Sequence, residues 1–563
     1  MNDDENSDEL FIYAMYCKQR NVKVCTFANS DQTSYIANNQ LRSLTSIISI
    51  HSLDEFHNIG QDYHKSNEFP DSIYIWTGIF LSLGIEIPEQ LPINPEPTPS
   101  ITDYPWDDEI FQYPYDTEPG DLEPCDHQLN ALKKWTGNNY RGILQHATGT
   151  YKTATGLCAA AHLLSKKDCN FVLISSPYTE VSKQWLKLAK NCFKGGVIVL
   201  PCWGTDYPEW RKHFRTAISS AFRHDKKILA IFVNASLWGT KNETKYAIEQ
   251  LNLLSKNNQS WGLVADEMHN WISGSSSSTA LNFMNEVTEG CPFRLGLSAK
   301  VDKRGEATNP QNIFVKNWFA FNEDTSETMI DNLTLEAAID GGFLRKYDYQ
   351  IVPLDVHISD DYVGKHGHQK SIEYAYNIFE QEIHKYVAEH SFRLVQEEAN
   401  RLLIYVGPTK KVATEIVEKI NKNRGDFDSS LVRKFTSDEN SKQRAEILDD
   451  FKHSVVKILV AIKCLDEGVN LPIADCAIMA LNSEDDDREW IQRRGRILRR
   501  IDGEDTIAKI IDFYPVFRVN DQSVLHNLHI FQKEQFTRIK EFSNTATFAS
   551  RQEMTNTFKQ IKE

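Results

Sequence analysis

The sequence contains no Cys-x-x-Cys pair. Its 10 cysteines (Cys17, Cys25, Cys125, Cys158, Cys169, Cys192, Cys202, Cys291, Cys464 and Cys476) are scattered without a regular framework. That spacing excludes a disulfide-stapled scaffold and a cysteine-held structural zinc, and it predicts a reducing compartment. Long apolar runs are missing too. The best candidate, around Ile73 to Ile87, is interrupted by Thr77 and Gly78 and falls short of the ~18 residues that a spanning helix needs. The first ten residues, MNDDENSDEL, lack the basic character of a secretory or mitochondrial leader, so a cytoplasmic protein is expected. What is present is 563 residues with 41% hydrophobic content, enough to bury several cores in roughly three to four domains.

Basic residues are scarce at one end only. Residues 1–125 hold 22 Asp and Glu against 5 Lys and Arg, a balance of −17, whereas the remainder holds 56 against 57, a balance of +1. Within this acidic front, residues 1–84 alternate apolar stretches (LFIYAMYC, LTSIISI, SIYIWTGIFLSLG) with polar ones, which predicts a small α/β domain. Residues 85–125 carry nine prolines among many carboxylates and read as an extended linker. No His-x-Lys pair and no Asp…Glu-x-Lys arrangement speaks for nuclease chemistry in this front unit. It is either a partner-binding or target-sensing domain or a solvated acidic cap.

From Asp126 onward, short motifs follow one another in a fixed order: HATGTYKT at 146–153, VADEMH at 264–269, LGLSAK at 295–300, CLDEGVNLP at 464–472 and QRRGRILRR at 492–500. The first sits between a strand-like RGILQ and the apolar helix TATGLCAAAHLL, the strand–loop–helix context of a phosphate-binding loop. Gln128 falls one turn ahead of an amphipathic helix ending near Trp135. In the loop, Thr148, Gly149 and Thr150 form the turn, Lys152 reaches the β- and γ-phosphates of ATP, and Thr153 holds Mg²⁺ through its hydroxyl. The helix N-terminus adds free N–H groups and a dipole aimed at the anion. The plain alternative is an ordinary helix start. Tyr151 stands where close backbone approach to the phosphates favours glycine. Either its ring turns outward and the backbone still fits, or nucleotide binding is weakened.

SWGLVADEMHNW delivers Asp266 and Glu267 at the carboxyl end of a strand, where α/β sheets place ligands. Asp266 is the candidate Mg²⁺ ligand, and Glu267 the base that orients and deprotonates the attacking water, with His269 as a relay. A solvated strand end beside a core-edge histidine is the alternative. In QRRGRILRR, the spacing puts Arg496 and Arg499 on neighbouring helical turns, either as a solvated basic face or as a phosphate-facing one.

Taken together, these motifs resemble a superfamily 2 helicase of the DExH type, closest to the motors of restriction-enzyme subunits and related DNA translocases, over roughly Asp126 to the end. ISSPYTEVSKQW carries Pro177, Gln184 and Trp185 in matching places, and TLEAAIDGGFLRKYDYQIVPLDV resembles the crossover between motor domains. The resemblance implies two tandem RecA-like parallel-sheet domains, at 126–335 and 336–515, followed by a helical extension at 516–563. It implies that Gln128, Gly468 and Asn470 contact the nucleotide, with Asn470 where the family has an Asp at the ribose. Gln492, Arg496 and Arg499 then serve catalysis, the arginines as fingers on the γ-phosphate. Pro177, Gln184, Ser298 and Gly407 line the nucleic-acid track. The Ser-Ala-Thr of the family is here Ser298, Ala299, Lys300, a departure that bears on coupling between hydrolysis and grip.

The expected protein is therefore an ATP- and Mg²⁺-dependent helicase or translocase, on DNA in preference to RNA, in prokaryotic defence, restriction or repair. The alternative is a hydrolysis-poor switch or adaptor that recruits a separate effector nuclease through its acidic front.

Overall fold

Predominantly apolar runs become central strands. CNFVLISS and LLIYV bury every residue, as strands of a parallel sheet covered on both faces must. The computed structural model describes residues 11–17, 22–28, 44–50, 106–113, 124–165, 169–271, 277–301, 309–320, 328–397, 399–407, 409–436, 438–462, 474–480, 487–500 and 506–562. The chain divides into two units, Met1–Tyr104 and Pro105–Glu563.

In the first unit, β1 (Phe11–Cys17) pairs antiparallel with both β2 (Val22–Ala28) and β3 (Leu44–Ile50), in the order β2-β1-β3. The helical part expected of an α/β domain over 1–84 lies outside the described residues.

The second unit holds two parallel sheets. Seven strands form the first: β4 (Arg141–His146), β5 (Cys169–Ser176), β6 (Val197–Cys202), β7 (Lys227–Val233), β8 (Ser260–Ala265), β9 (Phe293–Ser298) and β10 (Met329–Leu333), in the order β10-β4-β9-β8-β5-β7-β6. Six form the second: β11 (Tyr347–His357), β12 (Leu402–Val406), β13 (Val432–Phe435), β14 (Ile458–Ala461), β15 (Cys476–Ala480) and β16 (Ala508–Arg518), in the order β11-β16-β15-β12-β14-β13. These are two tandem RecA-like lobes. Because β4 and β8 flank β9, the segments after all three strands open along one edge of the first sheet, at the carboxyl ends where a ligand site forms. Just beyond β8, Trp271 is centred 4.0 Å from Trp238, tilted against it, and 6.0 Å from Trp318, stacked on it.

Three expectations need correction. Part of the proline-rich linker is packed: Trp106, Ile110 and Phe111 are buried, Phe111 bridges to Phe193, and Lys194 N donates to Ile110 O at 2.9 Å. Three large apolar side chains in PWDDEIFQY outweigh the proline and carboxylate composition around them. Gln128 lies inside the helix Asp126–Gly137, in its first turn, because its own side chain closes a capping box with Cys125. The helical extension begins at Gln522, since β16 stays in register with β11 as far as Arg518.

Candidate nucleotide site

The turn after β4 is held by glycine geometry and by its own hydrogen bonds. Gly149 has φ +92°, and a Cβ there would stand 2.9 Å from both Gly495 O and Leu344 Cδ2, so a side chain is excluded on two grounds. Thr150 is buried, with its hydroxyl donating to Ala147 O at 2.8 Å. Tyr151 takes φ +61°, the left-handed region that glycine fills without strain, and its ring is 44% exposed. The ring therefore turns outward, and the backbone follows the path a glycine would take.

Lys152 opens the helix Lys152–Ser165 and donates to His146 O at 3.0 Å and Ala147 O at 3.3 Å. Burial lowers its pKa, the Glu267 and Asp266 carboxylates oppose that shift, and the Arg499 and Arg496 guanidiniums add to it. Four charged groups from two distant stretches, 266–267 and 496–499, thus act on Lys152. Thr153, half-buried, sits in the same first helical turn.

Asp266 is 6% exposed. Its Oδ2 accepts from Trp185 Nε1 at 2.7 Å and its Oδ1 from Glu267 N at 3.0 Å. Burial, then the neighbouring Glu267 charge, push its pKa up, the behaviour of a carboxylate that wants a cation. One such carboxylate and a helix-start hydroxyl fit Mg²⁺, which keeps several waters and takes its remaining ligands from phosphates.

Glu267 has φ +44°, a conformation its carbonyl secures by accepting from Asn270 N at 2.9 Å and Asn270 Nδ2 at 3.1 Å. Its Oε2 lies 3.3 Å from His269 Nδ1. That nitrogen is also 3.0 Å from Ser298 Oγ, which donates its own proton to Lys300 O at 2.9 Å. Ser298 therefore accepts from His269, and the proton is assigned to Nδ1 by this network.

The second lobe contributes the helix Asp487–Ile497. Gly495 packs onto the loop so closely that a Cβ would meet Thr148 Cβ at 2.3 Å and Thr148 O at 2.8 Å. Arg496 is 8% exposed on this helix, and Gln492 lines a narrow cleft with Glu267, His269, Ala299 and Lys300. Arg499 is not on the helix as expected. The helix ends at Ile497, and Arg499 forms a β-bridge with Leu344 from the inter-lobe crossover, which brings it beside Gly149. Arg493 and Arg494 serve packing, the first 5.3 Å over the Tyr405 ring and the second 4.1 Å over Phe542.

Two other expected site residues are enclosed by the protein. Gln128 is fully buried and hydrogen-bonded within it. Ser298 is also fully buried, against His269. Pro177 is half-buried just beyond the carboxyl end of β5, Gln184 is half-buried on the helix Thr179–Cys192 that follows, and Gly407 is half-buried beyond β12. Gly468 and Asn470 lie outside the described residues. Trp185 as the partner of Asp266 and Tyr113 as the partner of Gln128 were not anticipated, because contacts across 81 and 15 residues leave no spacing pattern.

Two family models match this chain. The model described as Type III restriction enzyme, res subunit, matches residues 121–303, and the Helicase conserved C-terminal domain matches residues 385–500. A DNA 3'-5' translocase, XPB2, of Sulfurisphaera tokodaii is 35% identical over 81 residues, 14% of this chain and 18% of that protein. Among solved structures, the ATP-dependent Type ISP restriction-modification enzyme LlaBIII bound to DNA superposes with a TM-score of 0.51 at 16% identity, over 75% of this chain and 30% of that one. The chain thus spans less than a third of the length of each of these relatives, and the structural likeness is one of fold. Among the described residues, no helix is long and apolar enough to cross a membrane.

Proposed function

Because this chain pairs the two motor domains of a superfamily 2 helicase resembling those of restriction enzymes, whose members hydrolyse ATP, we propose that it is a nucleic-acid-dependent ATPase that moves along or opens DNA. The observation that carries this reading is the packing of Gly495 on Thr148, with Arg499 against Gly149. This contact supports a split hydrolytic site with one half on each lobe.

In the proposed mechanism, Lys152 exchanges its two carbonyl partners for the β- and γ-phosphates, and the helix N-terminus supplies N–H donors. Thr153 and Asp266 would hold Mg²⁺, which would supply charge neutralisation at the phosphates. Glu267 orients a water toward the γ-phosphorus and takes its proton; the bond to the β-phosphate oxygen breaks, and ADP and phosphate leave. His269, 3.3 Å from the Glu267 carboxylate and tied to Ser298, connects the base to the Ser298–Lys300 segment. Arg496 and Arg499 stabilise the charge on the transferred group, so hydrolysis depends on the lobes being together. Opening and closing of the lobes then moves a strand laid across both.

DNA is favoured because the named relatives are a DNA translocase and a DNA-bound restriction enzyme. Restriction, antiviral defence or repair in the cytoplasm is the matching context. The acid-rich residues 1–125 are the proposed docking surface for a partner. The reading as a hydrolysis-poor switch loses much of its support, since Tyr151 keeps a glycine-like backbone path.

Steady-state ATPase measured alone and with single-stranded DNA, duplex DNA, forked duplex and single-stranded RNA, beside Lys152→Ala, tests the proposal. Stimulation by DNA that disappears in the variant is expected. Hydrolysis absent on every substrate would overturn it in favour of a switch.

A further inference from the structure

The arginine-bearing helix stops earlier than its residues require. Leu498, Arg499 and Arg500 are good helix formers, and one more turn would leave Arg499 on the face of Arg496, about 4.5 Å further along the axis. The helix instead ends at Ile497, and its last carbonyls need other partners. Arg345, 4% exposed in the crossover between the lobes, supplies them. Its Nη2 donates to Ile497 O at 2.6 Å and its backbone N to Leu498 O at 2.8 Å. The same Nη2 donates to Ala474 O at 2.6 Å, just ahead of β15, and Nη1 donates to Thr506 Oγ1 at 3.2 Å, just ahead of β16. In a continuing helix the Ile497 and Leu498 carbonyls would accept from N–H groups four residues on; engaged by Arg345, they turn the chain out of the helix. A guanidinium is also the favoured charge at that end of the helix dipole.

The crossover that carries Arg345 is itself fixed. Gly342 takes φ +72°, and Phe343 N and Leu344 N both donate to Ala338 O, at 2.9 and 3.1 Å, closing the end of the helix Leu335–Asp340. Arg500 Nη1 donates to Gly342 O at 2.7 Å, and Leu344 bridges to Arg499 in antiparallel fashion. Residues 342–345 and 497–500 therefore lie side by side. The pair leans on the phosphate loop, since a Cβ on Gly149 would stand 2.9 Å from Leu344 Cδ2 and 3.5 Å from Arg499 Cγ.

We infer that Arg345 is a positioning residue for hydrolysis: it ends the arginine-bearing helix at Ile497 and so holds Arg499 out of the helix and against the phosphate loop. The inference rests on the ATPase reading above and adds to it a residue that acts only through Arg499. A displacement of about 1 Å at a catalytic group costs about 100-fold in rate, so a side chain that fixes one backbone path reaches the chemistry without touching it.

Single-turnover hydrolysis of ATP by the full chain, with duplex and with single-stranded DNA, is compared for the wild type, Arg345→Met, Arg499→Ala and the double variant. Arg345→Met is expected to lower the rate constant by about 10- to 100-fold and to leave the ATP concentration for half-maximal rate within about 3-fold of the wild type. In the Arg499→Ala background, already about 10³-fold slow, the same substitution should cost less than about 2-fold, because the guanidinium it positions is gone. A merely structural role lowers the folded fraction and multiplies through both backgrounds, so an equal fractional loss in each overturns the inference, as does full activity in Arg345→Met. Should Arg345→Met melt below the assay temperature, Arg345→Lys decides by the same comparison, since it keeps a donor for the Ile497 carbonyl. A loss of about 3-fold or more that vanishes in the Arg499→Ala background supports the inference; no loss, or the same loss in both backgrounds, overturns it. Hydrolysis absent in the wild type would sink the ATPase reading and this inference with it, while a fast Arg499→Ala would sink this inference alone.

Discussion

Tyr151 occupies a conformation that costs an L-residue about 1–2 kcal/mol. Replacing it with glycine removes that strain but frees the unfolded chain, an offset of about 0.5–1 kcal/mol. Tyr151→Gly is therefore expected to be neutral or to stabilise by up to about 1 kcal/mol, read by urea denaturation, with ATP affinity unchanged. A large loss of affinity would mean that the exposed ring itself serves the nucleotide. The two charged residues nearest the chemistry separate by role. Lys152→Ala should lose nucleotide binding and turnover together. Glu267→Gln should keep binding and lower turnover by about 100-fold or more, because the amide retains the shape but cannot take the proton. Normal turnover in Glu267→Gln would remove it as the base.

At the scale of elements, the arginine-bearing helix is fixed from behind by the C-terminal helix Gln522–Asn544. Arg538 forms two hydrogen bonds to Asp512, at 2.9 and 3.2 Å, while its guanidinium lies 4.0 Å over the Trp490 ring. The Tyr349 hydroxyl also donates to Asp512, which is 1% exposed. Arg538→Met leaves a buried carboxylate without its cation and should destabilise the protein by about 3–5 kcal/mol, whereas the double change with Asp512→Asn should recover a large part of that. Urea denaturation of the four proteins in the cycle measures this, and full additivity would mean that the pair is not coupled. No short-range signal announced this contact, since Asp512 and Arg538 are joined by the fold alone. The phosphate loop, by contrast, was legible because strand, turn and helix are contiguous in sequence, and Asp266 and Glu267 because a strand end is a local event. Arg499 was misplaced because helical spacing cannot see Ile497 ending the helix and Leu344 capturing the next turn as a bridge. The packed segment 106–113 was hidden by its carboxylates and prolines. The engagement of the Gln128 amide by Tyr113 was not legible, because the packed segment that carries Tyr113 was itself hidden.

For the molecule as a whole, the question is whether hydrolysis requires the two lobes to stay in register, and Gly495 separates that requirement from the chemistry. The loop residue Thr148 approaches it so closely that a single methyl group would overlap both the side chain and the backbone carbonyl. A backbone contact cannot yield as a flexible side chain would, so Gly495→Ala should push the helix and its arginines off the loop. The substitution lies on the second lobe and keeps Lys152, Thr153, Asp266 and Glu267, so nucleotide binding should fall by no more than a few-fold. Turnover should fall about 10³-fold, the scale of losing a positively charged transition-state partner. Arg496→Ala removes one guanidinium and leaves the contact intact, so it should also bind nucleotide and hydrolyse poorly. The two variants differ in their response to DNA. With Arg496→Ala, ATP binding should still change DNA affinity, because the lobes can still close around the nucleotide; with Gly495→Ala that linkage should be lost. Fluorescence anisotropy of labelled DNA with and without ATP reads the difference. Equal linkage in both variants would mean that the Thr148–Gly495 contact is packing only, and that closure is transmitted by another path.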